Sequence, residues 1–318
     1  MVLWMTSTTQ AGGKRRDLMA CYASGLVLAD DFSLANLKID ARRGRIITPM
    51  SPKPKLEFAA RTDAGMVRAH NEDAIHASPE HAFAVLADGM GGYNAGEVAS
   101  AMAVDTVRLR LQADLPKLSE RRRDTQVLQL LNASVHDANK AILAAAEADP
   151  ACHGMGTTIV AAVFDEDRLT LAHVGDSRAY RLRGEELVQI TKDHSLVQEQ
   201  IDAGLVDPES AAYALHRNLV TRAVGVDPEM DVELHVHAVE EGDLYLLCSD
   251  GLSDMLDAGS MKGILQEHRA SLDTACEMLV AQANAQGGHD NISVVLIQVS
   301  ALSSQPGGVL SRVLKWIS

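Results

Sequence analysis

The chain has 318 residues, enough for one large domain or two small ones, with 47% hydrophobic and 23% charged residues, as in ordinary soluble globular proteins. Its 43 acidic against 29 basic residues give a net charge of −14, the wrong sign for neutralising a phosphate backbone. With only 3% aromatic residues a stacking platform for single strands is missing as well, so nucleic acid is excluded as a partner class.

Cys21, Cys152, Cys248 and Cys276 are scattered, with neither a C-x-x-C pair nor zinc spacing, and a reducing cytoplasm is the expected compartment. No apolar run of about 18 residues occurs, so no spanning helix is expected. The basic cluster Lys14-Arg15-Arg16 precedes an apolar stretch broken by Tyr22, Ser24 and Gly25, unlike a clean signal peptide. Residues 1–54 carry Thr/Ser/Gly/Arg clusters with weak periodicity and end in Pro49-Met50-Ser51-Pro52-Lys53-Pro54. Proline fixes φ and cannot donate to a ladder, so this stretch is expected to be a poorly ordered extension with a proline-rich linker. Met50, just before patterned sequence begins, is an alternative start.

From Leu56 strands and helices alternate. Residues 82–87 form a short apolar run ending at Asp88-Gly89, which predicts a buried strand. Residues 95–112 and 124–146 repeat apolar positions at helical spacing, among them Val98, Met102, Val107 and Leu111, then Leu128, Leu131, Val135, Ala138 and Ile142. A β-rich block follows at 157–164, 169–174, 178–182 and 187–190. The short turns Asp165-Glu166-Asp167 and Arg183-Gly184-Glu185 demand antiparallel hairpins, because parallel neighbours need long crossovers. A helix is expected over 194–203, a loop over 204–218, strands at 232–236 and 244–248, a helix over 272–283 and a closing strand at 292–299. Strand runs interspersed with helix pairs predict an α+β domain over residues 55–300, followed by a tail, 301–318.

Three acids share one local grammar. Asp88 and Asp250 each end an apolar strand and precede glycine, and Asp290 follows Gly287-Gly288-His289 immediately before a strand. A single Asp-Gly is commonly a turn. Three such acids at distant strand ends can converge, and clustered carboxylates repel unless cations neutralise them. Oxygen donors without a Cys/His cage favour Mg²⁺ or Mn²⁺ over zinc. A phosphate-cradling loop is excluded, since no G-x-x-x-x-G-K-[ST] follows. The glycines at 89, 91 and 92 are expected to let the chain turn sharply without a clashing Cβ.

The stretch from Arg61-Thr62-Asp63 through Arg68-Ala69-His70-Asn71-Glu72-Asp73 resembles the opening motif of PPM-type, protein phosphatase 2C-like, serine/threonine phosphatases. Ala87-Asp88-Gly89-Met90-Gly91-Gly92 resembles the bacterial form of that family's metal motif. Gly154-Met155-Gly156-Thr157-Thr158, Val174-Gly175-Asp176-Ser177-Arg178, Cys248-Ser249-Asp250-Gly251-Leu252 and His289-Asp290-Asn291-Ile292-Ser293 follow in the family's order. Thr191-Lys192-Asp193-His194-Ser195 resembles the entry to its flap segment. Together these span about residues 56–300.

The resemblance implies a four-layer α/β/β/α sandwich with two central antiparallel sheets and a metal-dependent phosphatase that hydrolyses phosphoserine and phosphothreonine with a metal-bridging hydroxide. It implies two tightly bound Mn²⁺ or Mg²⁺ ions. Asp88 would bridge both ions and the Gly89 carbonyl would bind one. Asp250 and Asp290 would complete the shell of the first ion, and Glu72 would serve the second ion largely through water. Asp176 would share a third, weaker site with Asp250. Arg68 would clamp the substrate phosphate, a task suited to a planar guanidinium. Met90 stands where many eukaryotic relatives carry histidine, so the proton for the leaving alkoxide must come from elsewhere. Phosphorylated proteins are the implied substrates, with a bacterial eukaryotic-like serine/threonine kinase as counterpart, and a monomer is expected. The alternatives are a non-catalytic phosphoprotein-binding module, or a phosphatase for a dedicated switch protein, on the same fold.

Other residues read more plainly. His235 and His237, two apart on a strand, are expected on a partly exposed face without a carboxylate partner nearby. His70 and His289 adjoin acidic motifs without a further role. Cys248 ends an apolar run as a small buried hydrophobe. Residues 109–118 and Arg121-Arg122-Arg123 are expected to form a solvated helix end and loop. Residues 309–317 space apolar groups as a short amphipathic helix with Arg312 and Lys315, expected to dock on the body of the protein.

Overall fold

The computed structural model describes residues 38–40, 45–47, 54–91, 95–119, 123–206 and 219–302. The expected linker before Pro54, Gly92, Arg121 and Arg122, most of the 204–218 loop and the amphipathic segment 309–317 lie outside them. The chain divides into two units, Met1–Pro49 and Met50–Ser318. In the first, β1 (Lys38–Asp40) and β2 (Arg45–Ile47) pair antiparallel, where the sequence pattern had suggested no strand.

The second unit is built on two antiparallel sheets. One orders its strands β10 (Glu186–Gln189), β9 (Arg178–Arg183), β12 (Leu244–Cys248), β13 (Ile292–Ala301) and β3 (Lys55–Asp63). The other orders β11 (Glu233–Ala238), β8 (Arg168–Val174), β7 (Ile159–Asp165), β5 (Phe83–Met90) and β4 (Asp73–Ser78), with the short β6 (Gly156–Thr157) also on β5. Both expected hairpins form. Arg183 pairs with Glu186 across a turn whose Gly184 has φ +60°, and Asp165 pairs with Arg168 across Glu166 at φ +52°.

Side-chain alternation builds three cores and therefore four layers. Phe83, Val85 and Ala87 of β5 face α1 (Ala95–Asp114) and α2 (Arg123–Ala148), whose Val107, Leu111, Leu131 and Ile142 fill that core. Ala84 and Leu86 point the other way, joining Val160, Phe164, Tyr245, Leu247, Val295 and Ile297 between the sheets. Leu244, Leu246, Val294 and Leu296 face α4 (Ala258–Glu267) and α5 (Leu272–Ala285). Central strands are thus buried on both faces, which is why they read as continuous apolar runs rather than as alternation.

Three local expectations need correction. The run 157–164 is two strands, because Thr158 leaves the ladder to bond the backbone of Asp88. The expected helix over 194–203 is α3 (Leu196–Asp202), with Ser195 as its N-cap, so His194 stands outside it. Arg123 opens α2 and pairs with Asp165 at 2.6 Å, its side chain mostly buried rather than solvated.

Leu86 is fully buried between the sheets. Leu86→Ala is expected to cost about 2–5 kcal/mol, read as a lower urea midpoint with an unchanged slope. A loss below about 1 kcal/mol would mean that the face assigned to the inter-sheet core is not one.

Candidate active site and metal centre

The antiparallel strands deliver their acids to one end of the sandwich. Asp88 lies near the end of β5, directly opposite Asp73 of β4. Asp250 starts the helical turn Asp250–Ser253 just beyond β12, and Asp290 lies two residues before the start of the neighbouring β13. Asp176 occupies the link between β8 and β9, which belong to different sheets. It therefore sits in a crossing between layers and not in a hairpin turn. All seven residues singled out in the sequence, Arg68, Glu72, Asp88, Gly89, Asp176, Asp250 and Asp290, line one cleft of about 360 Å³, together with Met90, Thr158, Leu219 and Val220. Asp176 and Asp250 also share a smaller adjoining recess with Arg178, Asp193, Gln198 and Asp254.

The backbone around these acids is heavily tied. The Asp88 N–H donates to Thr158 Oγ1 at 3.0 Å, and its carbonyl accepts from Thr158 N and Thr157 Oγ1, both at 2.8 Å. Thr158 Oγ1 bonds Ser177 Oγ at 2.7 Å, linking β5 to the Asp176 crossing. Asn291 accepts the Glu72 N–H at 2.7 Å and donates to the carbonyls of Ala64 and His70, so the segment carrying Arg68 is fastened to the one carrying Asp290. Ser249 Oγ donates to Asp73 Oδ2 at 2.8 Å and accepts the Ser293 N–H. Gly89 lies within β5, and its need is for close approach rather than a sharp turn. A Cβ there would stand 2.1 Å from the Gly96 carbonyl oxygen and 2.6 Å from that of Glu72.

Electrostatically the cleft is frustrated. Burial raises the pKa of Asp88 well above the carboxylate range, and Asp73, Asp250, Asp176 and Asp290 raise it further. Asp250 is raised in the same way, by burial and then by Asp176, Asp254 and Asp290. Asp73 and Asp176 are both pushed up to about 6, chiefly by burial. Asp73 Oδ1 is buried with no hydrogen-bond partner. Oxygen donors that repel one another, with an orphaned buried oxygen among them, fit hard divalent cations.

A second group of ligand-type atoms, from His173, His194 and Glu233, lies within 4.8 Å of one another. The tautomer argues against a metal there. His194 Nδ1 accepts the Gly175 N–H at 3.1 Å, so Nε2 carries the proton and donates to Glu233 Oε2 at 2.8 Å. No lone pair on His194 is left for a cation.

Arg68, half exposed at the rim, pairs with Asp290 at 2.6 Å. Burial raises the pKa of Glu72 against the opposing pull of Arg68. Asp73 stood in the quoted motif with no role assigned, because its position opposite Asp88 exists only through the β4–β5 register. His235 needs correction. It does have a carboxylate partner, Glu233 Oε1 at 2.5 Å, two residues away on the same face of β11. His237 stacks on His235, with ring centroids 5.9 Å apart. Cys248 is fully buried and burial pushes its thiol up to about 12, as a small hydrophobe requires.

Residues 66–289 match the family model described as protein phosphatase 2C. The chain is 37% identical over 242 residues to the serine/threonine phosphatase stp of Listeria innocua, covering 75% of this chain and 94% of that protein. Among solved structures it is similar to the catalytic domain of the serine/threonine protein phosphatase PstP in complex with two manganese ions, with TM-score 0.69, 39% identity, and 77% and 99% of the two chains covered. It is also similar to Stp1 from Staphylococcus aureus, with TM-score 0.73, 32% identity, and 80% and 99% covered. The fold and carboxylate cleft are those of a metal-dependent serine/threonine protein phosphatase. The chain belongs to the protein phosphatase 2C family. Among the described residues, no helix is long and apolar enough to cross a membrane.

Carboxylates whose pKa rises from 3.8 to about 6 bind more protons folded than unfolded. Their contribution to the stability of the metal-free protein is therefore lost as pH rises from about 4 through about 6. In chelator, melting is expected roughly 3–8 °C higher at pH 5 than at pH 7.5, and saturating Mn²⁺ should remove or invert the difference. Asp88→Asn should raise the chelator melting point at pH 7.5. A pH-independent melting point in chelator, unchanged by Asp88→Asn, contradicts the repulsion.

Proposed function

We infer that the cleft hydrolyses phosphoserine and phosphothreonine in proteins, with Asp88, Glu72, Asp250, Asp290 and the Gly89 carbonyl holding two Mn²⁺ or Mg²⁺ ions. The observation that carries this reading is the convergence of these four acids, from distant segments, on one cleft with Arg68 at its rim. The raised pKa values of Asp88 and Asp250 mark the arrangement as unfavourable without cations, and a non-catalytic binding module gains nothing by keeping it. When bound, such ions supply Lewis-acid activation of water and of the phosphoryl group. The related PstP catalytic domain is in complex with two manganese ions, which supports a pair of ions here.

The side chains of the cleft divide the remaining work. Arg68 is committed to Asp290 when that carboxylate bears its full charge. With Asp290 holding a cation that pair would be weaker, and the Arg68 guanidinium fork would be free to take two phosphate oxygens. Asp88 is fixed on both sides of its peptide by Thr157 and Thr158, so its carboxylate does not have to reorganise during turnover. Met90 lines the cleft without a titratable group, so the proton for the leaving alkoxide comes from another group or from solvent. Asp176 and Asp250 share a weaker third cation site at the adjoining recess. The protein acts as a cytoplasmic monomer, opposite a bacterial eukaryotic-like serine/threonine kinase.

Hydrolysis of p-nitrophenyl phosphate and a phosphothreonine peptide is expected to require added Mn²⁺ or Mg²⁺ and to stop with EDTA. Asp88→Ala should cost on the order of 10³-fold or more in kcat, and near-normal turnover would mean that Asp88 holds no catalytic ion. Arg68→Ala should raise KM on the order of tenfold or more, with Mn²⁺ affinity by calorimetry close to wild type. Lost metal binding at unchanged KM contradicts the clamp.

A further inference from the structure

The motif Thr191-Lys192-Asp193-His194-Ser195 has no part in the chemistry above, yet its side chains grip the segment that carries Asp176. Thr191 Oγ1 accepts the Ala179 N–H at 2.9 Å. Asp193 takes Arg178 in a forked pair, with Nη2 to Oδ2 at 2.6 Å and Nε to Oδ1 at 3.0 Å. His194 holds Gly175 at both ends. Its own N–H donates to the Gly175 carbonyl at 2.8 Å, and its Nδ1 accepts the Gly175 N–H at 3.1 Å.

Gly175 is where restraint is needed. Its φ is +107°, and an added Cβ would stand 2.6 Å from the Thr158 side chain, so no other residue fits. Glycine supplies no conformational preference of its own at that φ, and the direction of the next residue, Asp176, is set by whatever holds its neighbours. The same histidine also joins two further segments. Its carbonyl accepts the Thr221 N–H at 2.8 Å, and Ser195 bridges Val220, whose side chain lines the cleft. Nε2–H is anchored on Glu233 of β11, with Arg222 Nη1 3.5 Å away and the tilted His173 ring 4.7 Å from the His194 ring, centroid to centroid. Burial lowers the His194 pKa, which keeps the ring neutral and one nitrogen free to accept.

We propose that His194 is a positioning residue, a neutral Nε2–H imidazole that clamps Gly175 and so aims the Asp176 carboxylate, tying that aim to residues 219–221 at the cleft wall. Its consequence for activity rests on the proposed role of Asp176 in a weak cation site, whereas the clamp itself does not. Asparagine can place an acceptor oxygen where Nδ1 stands, whereas glutamine reproduces only the Nε2–H donor.

The test uses the full chain. In His194→Gln, exchange of the Gly175 amide, measured in chelator, should quicken on the order of tenfold, while His194→Asn stays within about threefold of wild type. The weak phase of the Mn²⁺ titration should shift to higher concentration on the order of tenfold in the glutamine variant, with the tight pair unchanged. Phosphopeptide kcat should fall with KM little altered, and asparagine should restore it. Added to Asp176→Ala, His194→Gln should cost nothing further, because both act through one carboxylate.

Equal behaviour of the two variants, or effects that multiply with Asp176→Ala, overturns the proposal. If the variants do not fold, nitrogen-15 shifts of wild-type His194 decide, since a proton on Nδ1 is incompatible with the clamp. If Asp176→Ala leaves the weak phase intact, the cation role of Asp176 is lost, and the Gly175 exchange still judges the clamp.

Discussion

The structure is organised around mutual repulsion. Asp73, Asp88, Asp176, Asp250 and Asp290 are brought from five segments into one end of a sandwich whose interior is apolar. Nothing in hydrophobic burial favours that gathering, and each acid raises the cost of ionising the next. The fold must therefore supply enough stability elsewhere to hold the acids in place until cations arrive. Three stacked cores, with central strands buried on both faces, are what make this possible.

Rigidity at the site comes from small polar side chains that satisfy the backbone where the ladders end. Thr157, Thr158 and Ser177 take over at the end of β5, and Ser249 and Ser293 join β12 to β13 while also meeting Asp73. Asn291 uses its amide on three backbone groups of residues 64–72, adding to the bonds from the Met66 N–H to the Gly288 carbonyl and from the Gly89 N–H to the Glu72 carbonyl that keep Arg68 and Glu72 near the cleft. These groups are uncharged, so they hold the acids without neutralising them. The charge problem is left for a ligand to solve.

The parts legible in the sequence follow from the same physics. A strand buried on both faces must end where the chain meets water or cations, so Asp88, Asp250 and Asp290 announced themselves as acids terminating or preceding apolar runs. The edge strands β3 and β4 carry few fully buried residues, and without an apolar run they left no comparable trace. The helix Ala258–Glu267 buries only Met261 and Leu265 and contains Gly259 and Gly263, too sparse a stripe to separate from a loop. The pairing of Asp73 with Asp88 and the link from His194 to Gly175 depend on register and on a crossing between sheets. Local spacing cannot encode either. His235 and its partner Glu233 are two residues apart, so the period of a strand alone puts them on one face.

The two sheets meet the site unequally. Asp88 and Asp73 belong to one sheet, Asp250 and Asp290 to the ends of strands in the other, and Asp176 to the connection between them. A cation held by acids from both sheets stiffens the sandwich across its open end, so metal binding and inter-sheet packing stabilise each other. The connection at 175–177 has no ladder of its own. Its geometry depends on Thr158 from one sheet, Arg178 from the other, and His194 from the segment that returns to the cleft at residues 219–221. The direction of the Asp176 carboxylate is thus tied, through His194, to the residues at the cleft wall.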